Sequence, residues 1–130
     1  DYISRIDPSI IYTHHCGDVN IDHRRIHESV ITACRPTPNN HVKKILSFEI
    51  LSSTEWQGPN SMPHFIPNWY IEINNQLDRK LKALNEYSSE MRNWPHSRSI
   101  EASKYLAKLR GSQVGLNAAE AFMLLRKIEE

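Results

Sequence analysis

A chain of 130 residues, 39% hydrophobic and 24% charged, has the size and composition of one ordinary globular domain. The formal net charge of +1 excludes the broad basic field of a nucleic-acid or membrane-surface binder, and no apolar run approaches the ~20 residues that span a bilayer. The two cysteines do not make a disulfide framework, which favours a reducing, cytoplasmic setting.

The first part of the chain predicts a strand, a helix and a second strand. Its opening residues are typical of the end of a helix that enters a strand, which suggests a fragment or a processed chain. β-Branched residues predict a buried strand over 9–14, and Asp22 is the expected N-cap of a helix over 23–33. A second strand is expected over 42–51. The short connections favour a parallel βαβ unit.

The rest of the chain predicts one strand and three helices. Alternating residues predict the strand over 69–73, and leucine spacing predicts an amphipathic helix over 77–91. Two further helices are expected, one over 100–109 that closes near Gly111 and one over 116–128. Three strands make a poor sheet by themselves, so we expect an α/β fold whose sheet is completed by sequence outside this chain.

The polar stretch over 12–25 concentrates the groups that can carry chemistry. It contains three of the seven histidines and two of the five aspartates, and it connects the first predicted strand to the first helix. In open α/β sheets ligands bind at this end of the strands. Histidine nitrogens and carboxylate oxygens suit borderline metal ions. The stretch therefore predicts a partial metal site.

Asp22 and His23 are the leading candidate pair. A histidine in the first turn of a helix can point into a cleft above the sheet, and a neighbouring carboxylate can orient a ring or hold a proton. A helix cap with a surface histidine is the alternative. His27 has the i,i+4 spacing from His23 that can chelate zinc, but without a neighbouring Glu a solvated His27 is favoured.

Other polar residues of the chain leave alternatives open. His14 and His15 alternate faces if the strand continues, so at most one of them faces the cleft. Asp18 fits a local Asx-turn as well as a catalytic role. His96 and Arg98 follow a proline in a loop, where solvated side chains are the alternative.

Residues 13–24, with the sequence THHCGDVNIDHR, resemble the second motif of the PIG-L (LmbE-like) deacetylases. Later segments support the resemblance in the right order: Glu49 with 52–56, then 81–84 with Tyr87, then 110–115, then 119–122. The similarity covers nearly the whole chain. No nucleophile elbow, P-loop or dinucleotide fingerprint occurs in the sequence.

The resemblance implies a Rossmann-like three-layer α/β fold that is incomplete because its N-terminal strands are missing. Residues 1–130 would then be the C-terminal part of a single deacetylase domain. It also implies a hydrolase that uses Zn²⁺, or another divalent metal, to remove N-acetyl groups from N-acetylglucosamine-type sugar conjugates. The expected partner is the N-acetylated amino-sugar substrate, with homo-oligomer formation left open.

The resemblance also assigns roles at the site. It makes His23 the metal-binding histidine and Asp22 its neighbouring active-site acid. Asn20, itself a candidate catalytic residue, stands where many members have a histidine proposed as proton donor or oxyanion stabiliser. His15 or His96 is the candidate to replace that histidine.

Two residues are candidates for binding the sugar. Arg98 follows His96 in a segment that resembles one near the family's pocket. Trp56 lies in 52–68, which has the composition of a long loop and offers an aromatic surface for stacking, although core or lid packing is the alternative.

The family's first motif, His-Pro-Asp-Asp-Glu, provides two metal ligands and the general base, and it does not occur in these 130 residues. The chain alone is therefore expected to bind zinc poorly and to lack hydrolysis, whereas a longer parent protein would be intact. The alternative is a degenerate, non-catalytic carbohydrate-binding or partner subunit of the same fold. A hydrolase of another amide, such as a mycothiol-type conjugate, is a third hypothesis.

Overall fold

A computed structural model describes residues 2–38 and 41–129 as a mixed α/β structure. Its helices are α1 (Tyr2–Ile6), α2 (Ile21–Ala33), α3 (Leu77–Asn85) and α4 (Ile100–Ser112), and its strands are β1 (Ile10–His14), β2 (Lys44–Phe48), β3 (Trp69–Glu72) and β4 (Ala119–Lys127). The strands form one sheet in the order β1-β2-β4-β3. The α/β prediction is confirmed. None of the helices in this part of the chain has the length and apolar character that a bilayer crossing requires.

The predicted parallel βαβ unit is confirmed. β1 and β2 run parallel, from Ile10 opposite Lys44 to His14 opposite Phe48, and α2 connects them. α1 confirms the helix expected before the first strand.

The predicted N-cap of α2 is wrong by two residues. The N-cap is Asn20, which has an extended backbone and accepts a hydrogen bond from the backbone N–H of Asp22. Asp22 lies in the first turn, where a negative charge is favourable beside the exposed N–H groups.

The last element is a strand, and the prediction of a helix over 116–128 is wrong. β4 runs antiparallel to β2, with Leu124 opposite Leu46 and Phe122 opposite Phe48. Its consecutive residues Ala121 and Phe122 are both buried. A strand that is buried on successive residues loses the alternation that identifies strands, and its apolar run then resembles that of a buried helix. Pairing with a distant strand decided the conformation.

The boundaries of the two middle helices also differ from the prediction. α3 ends at Asn85 and does not continue to 91, because the N–H of Glu86 bonds the carbonyl of Ala83 in a tighter turn. α4 begins after Ser99, whose side chain accepts from the N–H of Ala102. It ends at Ser112, close to the position predicted.

The chain divides into two compact units, Asp1–Asn68 with Phe122–Glu130, and Trp69–Ala121. The first unit buries Cys34, Val42 and Ile45 in a cluster that attaches α2 and α1 to the sheet. The second unit buries a smaller cluster of Ile73, Ala107 and Ala118, against which Leu77 packs.

Gly111 lies inside α4 at a close approach of two backbones. A Cβ at this position would lie 2.6 Å from the carbonyl oxygen of Leu116 and 2.8 Å from the backbone of Ala118. Glycine to alanine changes inside helices normally stabilise by about 1 kcal/mol. Here the backbone atoms cannot move aside as a flexible side chain can, so the sign reverses.

We therefore expect Gly111→Ala to lower the free energy of unfolding by about 1–3 kcal/mol, as overpacking does. Urea unfolding followed by circular dichroism measures the change. Lys108→Ala, at an exposed position of the same helix, is the control and should stay within about 0.5 kcal/mol of the wild type. A Gly111→Ala protein as stable as the wild type would contradict the close approach.

Candidate functional site

The candidate site lies where β1 ends and the turn over 15–20 leads into α2. Two side chains of the helix hold this turn. The Arg24 guanidinium donates to the carbonyls of Asp18 at 2.7 Å and Val19 at 2.8 Å. The Nδ1 atom of His27 lies 2.8 Å from the carbonyl oxygen of His14 and donates to it, since a carbonyl only accepts. His27 thus fastens the helix to the strand.

The carboxylate of Asp18 is the centre of the turn and is fully buried. Its Oδ1 accepts from the backbone N–H of Asn20 at 2.9 Å, which is the Asx-turn considered from the sequence, and from the hydroxyl of Ser53. Its Oδ2 accepts from the hydroxyl of Thr54 at 2.9 Å. Oδ2 also lies 3.2 Å from Nδ1 of His23, a close approach without the alignment of a regular hydrogen bond.

The partners Ser53 and Thr54 come from the segment that follows β2. Thr54 Oγ1 accepts from the N–H of Ile50 at 2.8 Å, so its own proton is available to Asp18. The Glu55 carboxylate accepts from the N–H of Ser52 at 2.6 Å and from that of Ser53 at 3.2 Å, which closes the segment into a compact turn. The carboxyl ends of β1 and β2 therefore meet at Asp18.

These donors decide the charge of Asp18. Burial by itself raises the pKa of a carboxyl group. Hydrogen bonds from Ser53, the Asn20 backbone and Thr54, together with the nearby His23 ring, outweigh burial and hold the pKa of Asp18 below its usual value. The site contains a carboxylate at neutral pH.

Asn20 lies beside the edge of the His23 ring that carries Nε2, opposite the Asp18 carboxylate. The Asn20 side-chain oxygen accepts from the N–H of Asp22 at 2.9 Å, and this leaves its Nδ2 facing His23 Nε2 at 3.4 Å. The His23 side chain is 19% exposed. The predicted site residues Asn20 and His23 are thus brought together, whereas the Asp22 side chain is exposed to solvent.

His14 is the second imidazole of the site. Its ring stacks on that of His23, with ring centroids 4.2 Å apart and an angle of 24° between the planes. The centroid of the Phe48 ring lies 4.9 Å from that of His14. Its Nδ1 is buried and has no hydrogen-bond partner within residues 2–38 and 41–129. Burial, followed by the nearby His23, lowers the pKa of His14, while Asp18 raises it less. The stacked ring is held in its neutral form.

His15 points to the other face, as alternation along a strand requires. Its ring is buried, its Nε2 lies 2.9 Å from the carbonyl oxygen of Pro63, and the edge of Phe65 packs against it. Pro63 can lie this close to the turn because residue 17 is a glycine; a Cβ there would collide with the carbonyl of Pro63. His15, predicted as a catalytic candidate, is engaged in holding the loop over 57–68 against the turn.

The remaining candidates lie on two different units. Trp56 ends a single-turn 3₁₀ helix, Thr54–Trp56, and is 53% exposed, two residues from the Asp18 partner Thr54. His96 and Arg98 belong to the second unit. The backbone N–H of Arg98 donates to Nδ1 of His96 at 2.9 Å. The guanidinium of Arg98 forms an ion pair with Glu90 at 2.8 Å.

The donor chemistry of His23 fits one ligand of a metal site. A carboxylate beside Nδ1 is the usual companion of a histidine that binds metal through Nε2. Within residues 2–38 and 41–129, no group of three or more His, Cys, Asp or Glu side chains is arranged to hold a metal ion. The described residues present a single histidine beside a buried carboxylate at this place.

Sequence reasoning missed the contributions of His14, Ser53 and Thr54 and left Asp18 undecided. The strand alternation contained a partial signal for His14, since it allows at most one of two adjacent histidines to face the cleft. For the two hydroxyls no local signal existed, because they lie 35 and 36 positions from Asp18 along the chain.

The His14 environment predicts a pH dependence of stability. The unfolded ring takes up a proton near pH 6.5, whereas the native ring does so only at lower pH. Between these two pKa values the unfolded state binds more protons, so stability falls as pH falls through 6.5 towards the native pKa. We expect His14→Gln to lose less stability than the wild type between pH 7.5 and 5.5 in thermal unfolding. His64→Gln, at an exposed position, should retain the wild-type dependence, and identical slopes for all three proteins would contradict a neutral buried His14.

Comparisons with known proteins give a fold and no family. No family model matches the chain, and no curated protein matches it. Among solved structures, the chain is similar to the conserved protein TT1542 from Thermus thermophilus, with a TM-score of 0.73 and 19% sequence identity over 99% of this chain. The match covers 57% of that protein, so the chain spans little more than half of its length. The similarity shows a shared fold.

Proposed function

We propose that this chain is the part of a metal-dependent N-acetyl-sugar deacetylase of the PIG-L type that carries the second metal motif. The observation that carries the proposal is the environment of His23. Its ring lies at the carboxyl end of a parallel strand, with a buried carboxylate 3.2 Å from Nδ1 and Nε2 on the opposite side. A histidine held in this way is suited to present Nε2 to a metal.

The fold proposed for the parent protein is a Rossmann-like sheet with further strands beyond β1. β1 is the edge strand of the order β1-β2-β4-β3, and its side chains Ile10 and Tyr12 are 43% and 49% exposed. Exposed parallel edges with apolar residues are normally covered in globular proteins. The 57% coverage of TT1542 is in keeping with a longer parent.

Within this proposal His23 holds the metal together with ligands of the first motif, His-Pro-Asp-Asp-Glu, supplied by sequence outside these 130 residues. The chemistry that a divalent metal supplies when bound at such a site is acidification of water towards pKa ~7 and polarisation of an amide carbonyl. The general base also belongs to the first motif. This chain contributes positioning, oxyanion contacts and part of the sugar-binding wall.

Two side chains of this chain fit the substrate side of the reaction. The Asn20 amide has its Nδ2 beside Nε2 of His23, where it can donate to the oxygen on which negative charge develops. Trp56 is more than half exposed on the segment that is anchored to Asp18, and its ring is suited to stack on a sugar.

The test uses the protein from the complete reading frame. His23→Ala should lose bound zinc and lower the release of acetate from an N-acetylglucosamine conjugate by at least about 100-fold, since one direct ligand is removed. Elemental analysis and an acetate assay measure the two effects. Glu28→Gln, an exposed change on the same helix, is the control and should behave as the wild type.

Deacetylation that His23→Ala leaves untouched would end the catalytic assignment. Sugar binding that chelators do not affect, without acetate release by the wild type, would support the degenerate carbohydrate-binding subunit. Metal-dependent cleavage of a different amide conjugate would keep the site and change the substrate.

A further inference from the structure

We propose that Asp18 is a positioning residue that sets the tautomer of His23, so that Nδ1 carries the proton and Nε2 presents its lone pair to the metal. The inference rests on the proposed function for the identity of the ligand. Its core, the protonation pattern of one ring, can be measured without metal. It assigns to Asp18 a role beyond the Asx-turn that its spacing indicates.

The first argument comes from the carboxylate side of the ring. An ionised carboxylate is only an acceptor, and Asp18 already meets an N–H from Asn20 and hydroxyl protons from Ser53 and Thr54. Nδ1 of His23 is buried and faces the same carboxylate at 3.2 Å. A lone pair at Nδ1 would face the negative oxygen, whereas an N–H is attracted to it. The Nδ1–H tautomer is therefore favoured.

The second argument comes independently from the other edge of the ring. The backbone N–H of Asp22 can only donate, so the Asn20 atom that it contacts at 2.9 Å must be the side-chain oxygen. The other end of the Asn20 amide is then the NH₂ group, and it faces Nε2 of His23 at 3.4 Å. A donor beside Nε2 favours a lone pair there. Both edges of the ring select the same tautomer.

The same logic predicts what an amide at position 18 does. In Asp18→Asn, the fixed N–H of Asn20 requires that the new side chain keep its oxygen at the Oδ1 position. Its NH₂ group then occupies the Oδ2 position, opposite Nδ1 of His23. Nδ1 has to become the acceptor and the proton moves to Nε2. The substitution is nearly isosteric but reverses the tautomer and covers the metal-binding lone pair.

The attachment of Asp18 explains why it can fix the ring. The carboxylate is held by the turn after β1 through Asn20 and by the segment after β2 through Ser53 and Thr54. A purely structural carboxylate needs only these three donors. The contact with His23 is an additional one, and it lies on the side of the ring opposite the proposed metal.

The experiment uses the metal-free protein from the complete reading frame, labelled with ¹⁵N-histidine. Long-range ¹H–¹⁵N NMR at pH 8 reports which ring nitrogen of His23 carries the proton. We expect Nδ1–H in the wild type and Nε2–H in Asp18→Asn. Competition with a chromophoric chelator measures zinc affinity, which should fall by about 10- to 100-fold in Asp18→Asn. Glu28→Gln, also a carboxylate-to-amide change, should alter neither quantity.

The outcomes separate the inference from the proposed function. An Nε2–H tautomer in the wild type overturns the inference even if Asp18→Asn fails to fold. An unchanged tautomer in a folded Asp18→Asn protein, or a reversed tautomer with zinc affinity within about twofold of the wild type, overturns it as well. Full zinc affinity in His23→Ala, with the expected tautomers still observed, removes the proposed function and leaves the role of Asp18 on the ring intact.

Discussion

The candidate site depends on the hydrogen bonds that the buried carboxylate of Asp18 accepts. An isolated charge inside a protein is strongly destabilising unless hydrogen bonds replace the lost water. Donors from the turn after β1 and from Ser53 and Thr54 after β2 meet this requirement, and the His23 ring on α2 lies against the same carboxylate. The charge therefore holds three segments together. Any arrangement that separates them leaves the carboxylate without partners.

The four histidines near this carboxylate divide into two groups. His15 and His27 use ring nitrogens on backbone carbonyls, and so they attach the loop over 57–68 and helix α2 to the turn. His14 and His23 stack on each other beside the carboxylate. The neutral ring of His14 stacks on His23 and adds no charge beside it. Because His15 and His27 attach the loop and the helix to the turn, the rings of His14 and His23 are held in fixed positions beside the carboxylate.

The fold around the site explains why these polar side chains gather at one edge of the sheet. The parallel βαβ unit brings the carboxyl ends of β1 and β2 to the same edge of the sheet, and that edge is where Asp18 collects its donors. Position and chemistry agree with ligand binding in open α/β sheets. The remaining ligands in our proposal belong to strands beyond the exposed edge of β1.

The sequence by itself determined the features that depend on near neighbours. Strand β1, helix α2, the parallel unit and the polar turn between them follow from periodicity and short connections. Only the tertiary structure decided that β4 is a strand, since its apolar run fits either period until β2 pairs with it. It also decided that His14 faces the site and His15 the loop, and that Ser53 and Thr54 reach Asp18. These outcomes rest on contacts between distant parts of the chain, which local spacing does not encode.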